Sequence, residues 1–579
     1  MTHYFFSSPN PSNHFLEIEF IAQTNGVEEM VLQLPAWRPG RYELGNFAKN
    51  VRDFFVSDEN GNTLLFQKIT KDSWKVVTKK ANQIIVSYTY YAAELNAGST
   101  FVDETMMYVN PVNCCLYIPE REEEPCEIKL NAPENYTLAC GLNSNAEFLM
   151  HAKNFHEWVD SPFIASEAMQ HFSFLEKGVL FHIWINGLCK LNQPKLENHF
   201  RAFASAQIEA FGQFPVPEYH FLLHILPYKA YHGVEHGNST VITLGPSYDV
   251  MNDEGLYHEL LGVSSHELYH TWNVKQIRPS EMWPYNYTKE NYSRMGYLYE
   301  GATTYYGDVF LLRSSCFSEQ EYFKTFNQLL DKHFSNFGRF HLSVADSSFD
   351  TWLDGYVKGT PERKTSIYTE GALVTFMLDI LIRKNTANQY SFDDVMRTFY
   401  SEFACKNKPV NEEVYQRVVE RFAQQELSDF FNHYIYGIKD YEPVLLACFD
   451  YLGWEMIKQP SALYNEAFLG FKTIEQFGNT QVVAVCPGSI ADKAGLAVND
   501  FILAVNHCKV AADLHHWCRF FDNDTISFTV KREPGIIKNI VLIAGKETYY
   551  YNYSVKLAEK KSEAQKENFS LWKTAASKI

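Results

Sequence analysis

The chain has 579 residues, which at about 150 residues per domain predicts three to five domains. Its 51 Lys and Arg against 69 Asp and Glu give a formal net charge of −18, which argues against nucleic acid as a partner. Hydrophobic residues make up 46% and aromatic residues 16%, a composition that fills cores and excludes a largely disordered chain.

The sequence pattern of the first part of the chain predicts short strands. Period-two alternation of apolar and polar residues over 15–21 and 83–91 is typical of half-buried antiparallel strands, and turn clusters such as 58–62 separate them. We therefore predict an all-β, sandwich-like N-terminal domain over residues 1–168.

The predicted secondary structure of the remaining chain changes twice. Residues 169–458 begin with a strand-like run and become helical, which predicts an α+β domain. Residues 459–546 return to short strands with glycine-containing turns. Residues 547–579 are rich in Lys, Glu and Ala, which predicts a C-terminal helical tail.

The start of the chain and its cysteines indicate a compartment. The first residues lack the basic and apolar regions of a secretory signal, and the longest apolar stretch, 372–382, is too short to cross a bilayer. The eleven cysteines are odd in number and form no C-x-x-C pair, so we expect reduced thiols. We predict a cytoplasmic protein without membrane contact; its oligomeric state is left open.

The most informative motif is an H-E-x-x-H sequence at 266–270. On a helix, residues four apart differ by only about 40° in direction, so His266 and His270 project together. Glu267 lies beside them, where a general base can reach a water at the metal without being a ligand. Catalytic zinc takes three protein ligands, and Glu300, on the next predicted helix, is the candidate for the third.

These motifs resemble the M61 family of glycyl aminopeptidases, which are gluzincin metallopeptidases. The resemblance rests on H-E-L-Y-H-T-W-N-V-K-Q-I-R-P at 266–279, E-G-A-T-T-Y-Y at 300–306, L-P-A-W-R-P-G-R-Y at 34–42 and G-V-E-H-G-N-S-T at 233–240. It implies a thermolysin-like fold for the central domain. It also implies that His266, His270 and Glu300 bind one Zn²⁺ per chain and that Glu267 activates a zinc-bound water.

Further site residues follow from related gluzincin aminopeptidases. Tyr368 matches a tyrosine that stabilises the tetrahedral oxyanion. Glu235 resembles the glutamate that pairs with a free substrate amino terminus, and Gly233 lies in a small-residue segment that can pair with an extended peptide. His236 is either a substrate-binding residue or a hydrogen-bonded structural histidine.

The segment after residue 459 looks like a PDZ domain. Three stretches, 467–471, 487–496 and 499–506, agree with that fold in order and spacing. Its carboxylate-binding loop would consist of Phe468, Leu469, Gly470 and Phe471, and a peptide C-terminus could bind there by β-augmentation. A tethered PDZ domain could equally dock on the catalytic domain.

The sequence therefore predicts a zinc-dependent aminopeptidase acting on peptides with a free N-terminus and a small first residue, Gly or Ala preferred. Two alternatives stay open. A zinc endopeptidase would keep the metal site but need no amine-binding carboxylate. A PDZ-bearing adaptor with an inactive peptidase domain would have no reason to retain the complete motif set.

Overall fold

The computed structural model describes residues 1–574 except 358, 477, 523 and 544. Short 3₁₀ and π turns connect the regular elements, at Pro11–Asn13, Phe47–Asn50, Phe337–Phe340, Phe399–Phe403, Ala404–Lys406, Phe431–Ile435 and Asn465–Leu469. In the described part of the chain, no helix combines the length and apolar character needed to cross a membrane.

The N-terminal domain is β-rich, as predicted. Its strands are β1 (Thr2–Ser7), β2 (Phe15–Gln23), β3 (Glu29–Gln33), β4 (Val51–Asp58), β5 (Phe66–Thr70), β6 (Ser73–Val77), β7 (Gln83–Tyr91), β8 (Phe101–Val102), β9 (Met106–Val109), β10 (Cys126–Asn131), β11 (Thr137–Cys140), β12 (Leu149–Ala152) and β13 (Phe163–Ser166), with helices α1 (Pro111–Cys114) and α2 (Phe155–Val159). They form sheets with strand orders β12-β10-β1-β2-β7-β4, β11-β13-β9-β8 and β3-β6-β5. Strands β2 and β7 alternate buried and less buried residues.

The loop between β3 and β4 leaves this domain and enters the next one. Its Trp37 ring lies 5.6 Å from the ring of Trp352, and Tyr42 belongs to the hydrophobic core of the central domain. Burial of these two aromatic rings fixes the path of the intervening residues 38–41.

The central domain begins with a mixed sheet and continues with helices. The sheet has the order β14-β15-β16-β18-β17, in which β15, β16 and β18 are parallel. Its strands are β14 (Gln170–Glu176), β15 (Val179–Asn186), β16 (Glu218–Ile225), β17 (Ala230–Glu235) and β18 (Ser239–Gly245). The helices are α3 (Gln193–Phe211), α4 (Glu254–Tyr269), α5 (Gly296–Tyr299), α6 (Gly301–Arg313), α7 (Glu319–Ser335), α8 (Val344–Phe349), α9 (Thr351–Asp354), α10 (Ile367–Asn385), α11 (Phe392–Thr398), α12 (Glu412–Ala423), α13 (Ser428–Phe430) and α14 (Glu442–Leu452).

The buried character of these elements follows from their sequences. Strands β16 and β18 are buried on both faces almost throughout, as parallel strands covered on two sides are. Helix α4 is also buried over most of its length, and the Asp253 side chain caps it by accepting a hydrogen bond from the Leu256 N–H. The edge strand β17 runs beside α4.

The PDZ domain is an insertion. The chain leaves the catalytic domain through β19 (Trp454–Pro460) and returns through β26 (Tyr551–Leu557), which pairs antiparallel with it. Between them lie β20 (Phe471–Gln476), β21 (Asn479–Val485), α15 (Ile490–Lys493), β22 (Phe501–Val505), β23 (Cys508–Lys509), α16 (Leu514–Phe520), β24 (Thr525–Arg532) and β25 (Ile536–Ile543). These elements enclose a core of their own.

The segment predicted as a helical tail differs from that prediction. It starts with strand β26, and only its second part, α17 (Glu563–Thr574), is helical; residues 575–579 lie outside the described chain. The helix is docked: Trp572 is 0% exposed, and its indole N–H donates to the Tyr305 hydroxyl at 2.9 Å. The Lys, Glu and Ala composition did not predict this docking because few large apolar residues provide it; besides Trp572, Phe569 packs against the same core.

Trp572→Ala should lower the free energy of unfolding of the catalytic domain by about 3–5 kcal/mol, because the substitution empties a fully buried indole site. Denaturant titration followed by circular dichroism measures the loss. Leu188→Ala, at a position 89% exposed, is the control and should change stability little. Equal effects of the two substitutions would show that α17 is peripheral to the fold.

Candidate active site

The predicted metal ligands come together at one point. His266 lies in the last turn of α4, His270 is the residue that caps its C-terminus, and Glu300 lies at the junction of α5 and α6. The two Nε2 atoms are 3.0 Å apart, and Glu300 Oε2 lies 3.8 Å from His266 Nε2 and 3.4 Å from His270 Nε2. Two imidazole nitrogens and a carboxylate oxygen therefore converge, as the sequence predicted.

Neighbouring groups orient the ligands. The backbone carbonyl of Asn273 lies 2.6 Å from His270 Nδ1, so that nitrogen carries the proton and leaves the Nε2 lone pair free for a metal. The Asn273 side chain in turn donates to Thr303 Oγ1 at 3.1 Å on α6.

Tyr42, from the N-terminal domain, completes the site. Its hydroxyl donates to Glu300 Oε1 at 2.6 Å, while Oε2 faces the histidines. Burial, and then the charge of Glu300, raise the pKa of Tyr42, so the phenol remains a donor at neutral pH. Sequence reasoning missed this residue because it lies 258 positions from its partner. The only available signal was its place at the end of the 34–42 motif.

Glu267 is buried beside the ligands with one carboxylate oxygen, Oε2, lacking any hydrogen-bond partner among the described residues. Burial raises the pKa of this carboxyl group to about 8. A Cβ atom at Gly233 would lie 2.2 Å from Glu267 Oε1, so the missing side chain of Gly233 leaves room for the carboxylate. Gly233 thus lies on the edge strand β17 and lines the site.

Glu235 ends β17 and is only 8% exposed. Among the described residues its carboxylate has no hydrogen bond and no ion pair. The loop from the N-terminal domain passes directly over it: Gly40, with φ of +77°, is so close that a Cβ atom there would lie 2.6 Å from Glu235 Oε2. A nearly buried, unpaired carboxylate is costly unless a cation binds it.

Tyr368 lies in the first turn of α10, which the Ser366 side chain caps by accepting a hydrogen bond from the Thr369 N–H. Its ring is 39% exposed and lines the same cleft as Glu235 and Glu300. Burial of its hydroxyl and the charge of Glu300 raise the pKa of Tyr368, so the hydroxyl is available as a donor.

A cleft of about 530 Å³ connects these groups. Gly40 and Tyr368 border it at the metal ligands, and it extends from there along α4, α6 and α7. The volume is that of a site for a small molecule or a short peptide.

Family comparisons agree with this arrangement. The family model of the peptidase M61 N-terminal domain matches residues 3–167, that of the M61 glycyl aminopeptidase matches residues 259–374, and that of a PDZ domain matches residues 481–532. The second segment contains all three convergent ligands, Glu267 and Tyr368.

Two segments of the chain thus match models of the M61 peptidase family. The fold of the chain matches that of an aminopeptidase N family protein from Idiomarina loihiensis, with a TM-score of 0.91 at 22% identity over 99% of this chain and 100% of that chain. An M1 zinc metallopeptidase from Deinococcus radiodurans reaches a TM-score of only 0.47 at 13% identity, over 76% of this chain and 94% of that chain. No curated protein matches the chain.

His236 does not line the cleft. Its Nδ1 lies 3.1 Å from the Asp160 carboxylate of the N-terminal domain, which also accepts from Lys275 Nζ at 2.8 Å and from the Gly237 N–H. This geometry favours the structural role for His236, which connects two domains; a contact with substrate stays a prediction. Burial would raise the pKa of Asp160, but Lys275 and His236 lower it to about 2, so the carboxylate stays charged.

The predicted carboxylate loop of the PDZ domain lies at the start of β20, the outermost strand of its sheet. Part of the loop is a π turn in which the Gly470 N–H donates to the Asn465 carbonyl, and the Ala467 N–H donates to the Leu463 carbonyl. These two donors are therefore not free for a carboxylate. Peptide binding by this domain stays a prediction.

The residues present fit a zinc ion. Two imidazoles and one carboxylate form a usual catalytic donor set that leaves one position open. Burial alone would lower the pKa of His270, but Glu300, Glu235 and Glu267 raise it to about 9. The same concentration of negative charge attracts a metal cation.

Tyr42→Phe should weaken zinc affinity by about 10- to 100-fold, because Glu300 loses the hydrogen bond that orients it. Competition with a chromogenic chelator measures this directly, independently of turnover. Tyr228→Phe, at a residue 55% exposed, serves as the control. Unchanged affinity in the Tyr42 variant would mean that packing alone positions Glu300.

Proposed function

We propose that the chain is a zinc aminopeptidase that removes a small N-terminal residue, Gly or Ala preferred, from peptides. The observation that carries this proposal is the Glu235 carboxylate, which is nearly buried, makes no hydrogen bond or ion pair among the described residues, and lies between the metal ligands and the covering Gly40 loop. A substrate ammonium would supply the missing charge.

His266, His270 and Glu300 would hold one Zn²⁺. When bound, the ion supplies a Lewis acid that polarises the scissile carbonyl and lowers the pKa of a water molecule. The chain's own residues do the rest, and each has a defined task.

Glu267 accepts a proton from the attacking water at its free oxygen Oε2, while the water oxygen forms a bond to the carbonyl carbon. Tyr368 donates its hydroxyl to the carbonyl oxygen as negative charge develops there. The carbon–nitrogen bond then breaks, and Glu267 returns the proton to the leaving amine. No net proton is gained or lost.

Glu235 positions the substrate for this reaction. The edge of β17 offers backbone groups at Gly233 to an extended peptide, and its last residue binds the ammonium. The Gly40 loop leaves little space beside Glu235, which favours a small first side chain. Residues 259–374 also match a family model described as M61 glycyl aminopeptidase.

The two alternatives are less well supported. An endopeptidase requires room for chain on both sides of the scissile bond, whereas the Gly40 loop crosses the cleft directly beside Glu235. An inactive adaptor would not need the ligands, the base and Tyr368 together around one cleft.

All eleven cysteines are free thiols, eight of them buried. This supports our further proposal that the enzyme works in the reducing cytoplasm.

Glu235→Gln should lower kcat/KM for peptides with a free amino terminus by at least about thirtyfold, because a buried charge pair is lost. Acetylated peptides should be cleaved poorly by the wild type. Steady-state kinetics on Gly-Ala-Ala and its acetylated form provides the measurement. Glu209→Gln, a surface residue of α3 paired with Lys177, is the charge-matched control. Equal cleavage of both peptides by the wild type would refute the proposed aminopeptidase function.

Glu267→Gln should reduce kcat by about 10²- to 10⁴-fold while zinc remains bound, because the amide cannot accept the proton. Metal analysis and turnover of the same preparation check both parts. A wild-type kcat in the zinc-loaded Glu267→Gln protein would exclude Glu267 as the base.

A further inference from the structure

The cleft continues well beyond the catalytic groups, and its walls can be followed helix by helix. Glu300, at the start of α6, lies against His270 at the end of α4, and Gly307 of α6 lies against His266, where a Cβ atom would be 3.3 Å from the His266 Cα. The two helices therefore run antiparallel away from the metal ligands and form the floor of a groove.

Helix α7 forms the side wall of this groove. At its start, Glu321 Oε1 lies 3.0 Å from Nε2 of His258, two turns before His266 on α4. Near its end, His333 Nδ1 lies 2.8 Å from the buried carboxylate of Glu370, two residues after Tyr368. The wall thus runs from the far end of the groove back to the catalytic end.

This wall carries the cationic side chains of the groove. Among the described residues, Lys324 and Lys332 are the only Lys or Arg that line it. They and Gln328 are spaced four residues apart, so they form one stripe on α7. Neither lysine makes an ion pair or hydrogen bond with another described residue. Lys332 does oppose the burial-driven rise in the pKa of Asp308, which lines the groove on α6.

The charged groups differ along the cleft. An unpaired carboxylate, Glu235, lies at the catalytic end, and the two ammonium groups on the wall beyond it make no ion pair or hydrogen bond with another described residue. The lining beyond the catalytic end also holds the acidic residues Asp308, Glu259 and Glu321, of which Glu321 pairs with His258. A short peptide is a zwitterion with complementary charges: its N-terminal ammonium can pair with Glu235, and its C-terminal carboxylate can pair with a lysine of the wall. Because the groove floor from His266 to His258 spans eight residues, it is about 12 Å long. An extended peptide advances about 3.3 Å per residue, so three or four residues fit there.

We propose that Lys332 and Lys324 bind the C-terminal carboxylate of short peptides, so that the enzyme selects substrates of about two to five residues by both of their ends. This inference rests on the proposed aminopeptidase function, which fixes the amino terminus at Glu235. Lys332, nearer the catalytic end, serves the shortest peptides. Lys324, two helical turns farther along α7, serves the longer ones.

The test compares Gly-Ala, Gly-Ala-Ala and Gly-Ala-Ala-Ala as free acids and as C-terminal amides. For the wild type, kcat/KM should be about three- to tenfold higher for each acid than for its amide, mainly through KM, since the contact is a partly exposed charge pair. Lys332→Gln should bring this ratio close to one for Gly-Ala. Lys324→Gln should do so for Gly-Ala-Ala-Ala.

Lys190→Gln, which removes the same charge from an exposed loop outside the groove, should leave all ratios at their wild-type values. The proposal is overturned if the wild type cleaves acids and amides equally. It is also overturned if the two groove variants alter the ratios to the same extent at every peptide length.

A binding measurement separates this proposal from the proposed function. Calorimetry with the Glu267→Gln protein should show tighter binding of Gly-Ala than of its amide, and the added Lys332→Gln substitution should remove the difference. If no free-amine peptide is hydrolysed by the wild type but this preference is present, the aminopeptidase proposal fails and the carboxylate site stands. Equal binding of acid and amide overturns the carboxylate site.

Discussion

The close approach of α6 to its neighbours is the constraint on which the site depends. Gly307 lets this helix lie against the backbone of His266, and Gly301 lets it lie against Gly371 of α10, where a Cβ atom would be 2.3 Å from the Gly371 Cα. Any side chain at these two positions would push the helix outward. Because Glu300 immediately precedes α6, this packing sets the position of its backbone relative to the two histidines, and the Tyr42 hydroxyl then orients its carboxylate.

The site is also shared between domains. The N-terminal domain contributes the Tyr42 hydroxyl to Glu300 and the Gly40 backbone to the space around Glu235. Asp160 secures the same junction by binding His236 and Lys275. The catalytic domain therefore supplies the reactive groups, whereas the shape of the site on its closed side comes from the neighbouring domain.

The sequence predicted those features whose residues lie close together in the chain. The helical repeat brought His266 and His270 together, a short separation made Glu300 a reasonable third ligand, and the alternation of strands gave the β-rich first domain. Contacts across a domain boundary show no periodicity, so the role of Tyr42 was not found. The residue type of His236 could not distinguish a substrate contact from a structural one. The many polar residues of the C-terminal helix gave no indication that one of its sides is docked.

The position of Trp572 on that helix determines at what stage of translation the catalytic domain can complete its folding. Its indole completes a buried network with Tyr305 and Asp379, and Tyr305 belongs to the helix that follows Glu300. Since a chain is synthesised from its N-terminus, the ribosome must finish the inserted PDZ domain before α17 emerges. The peptidase is thus assembled only late in translation, and a chain cut before α17 carries every catalytic residue but not the support beneath them.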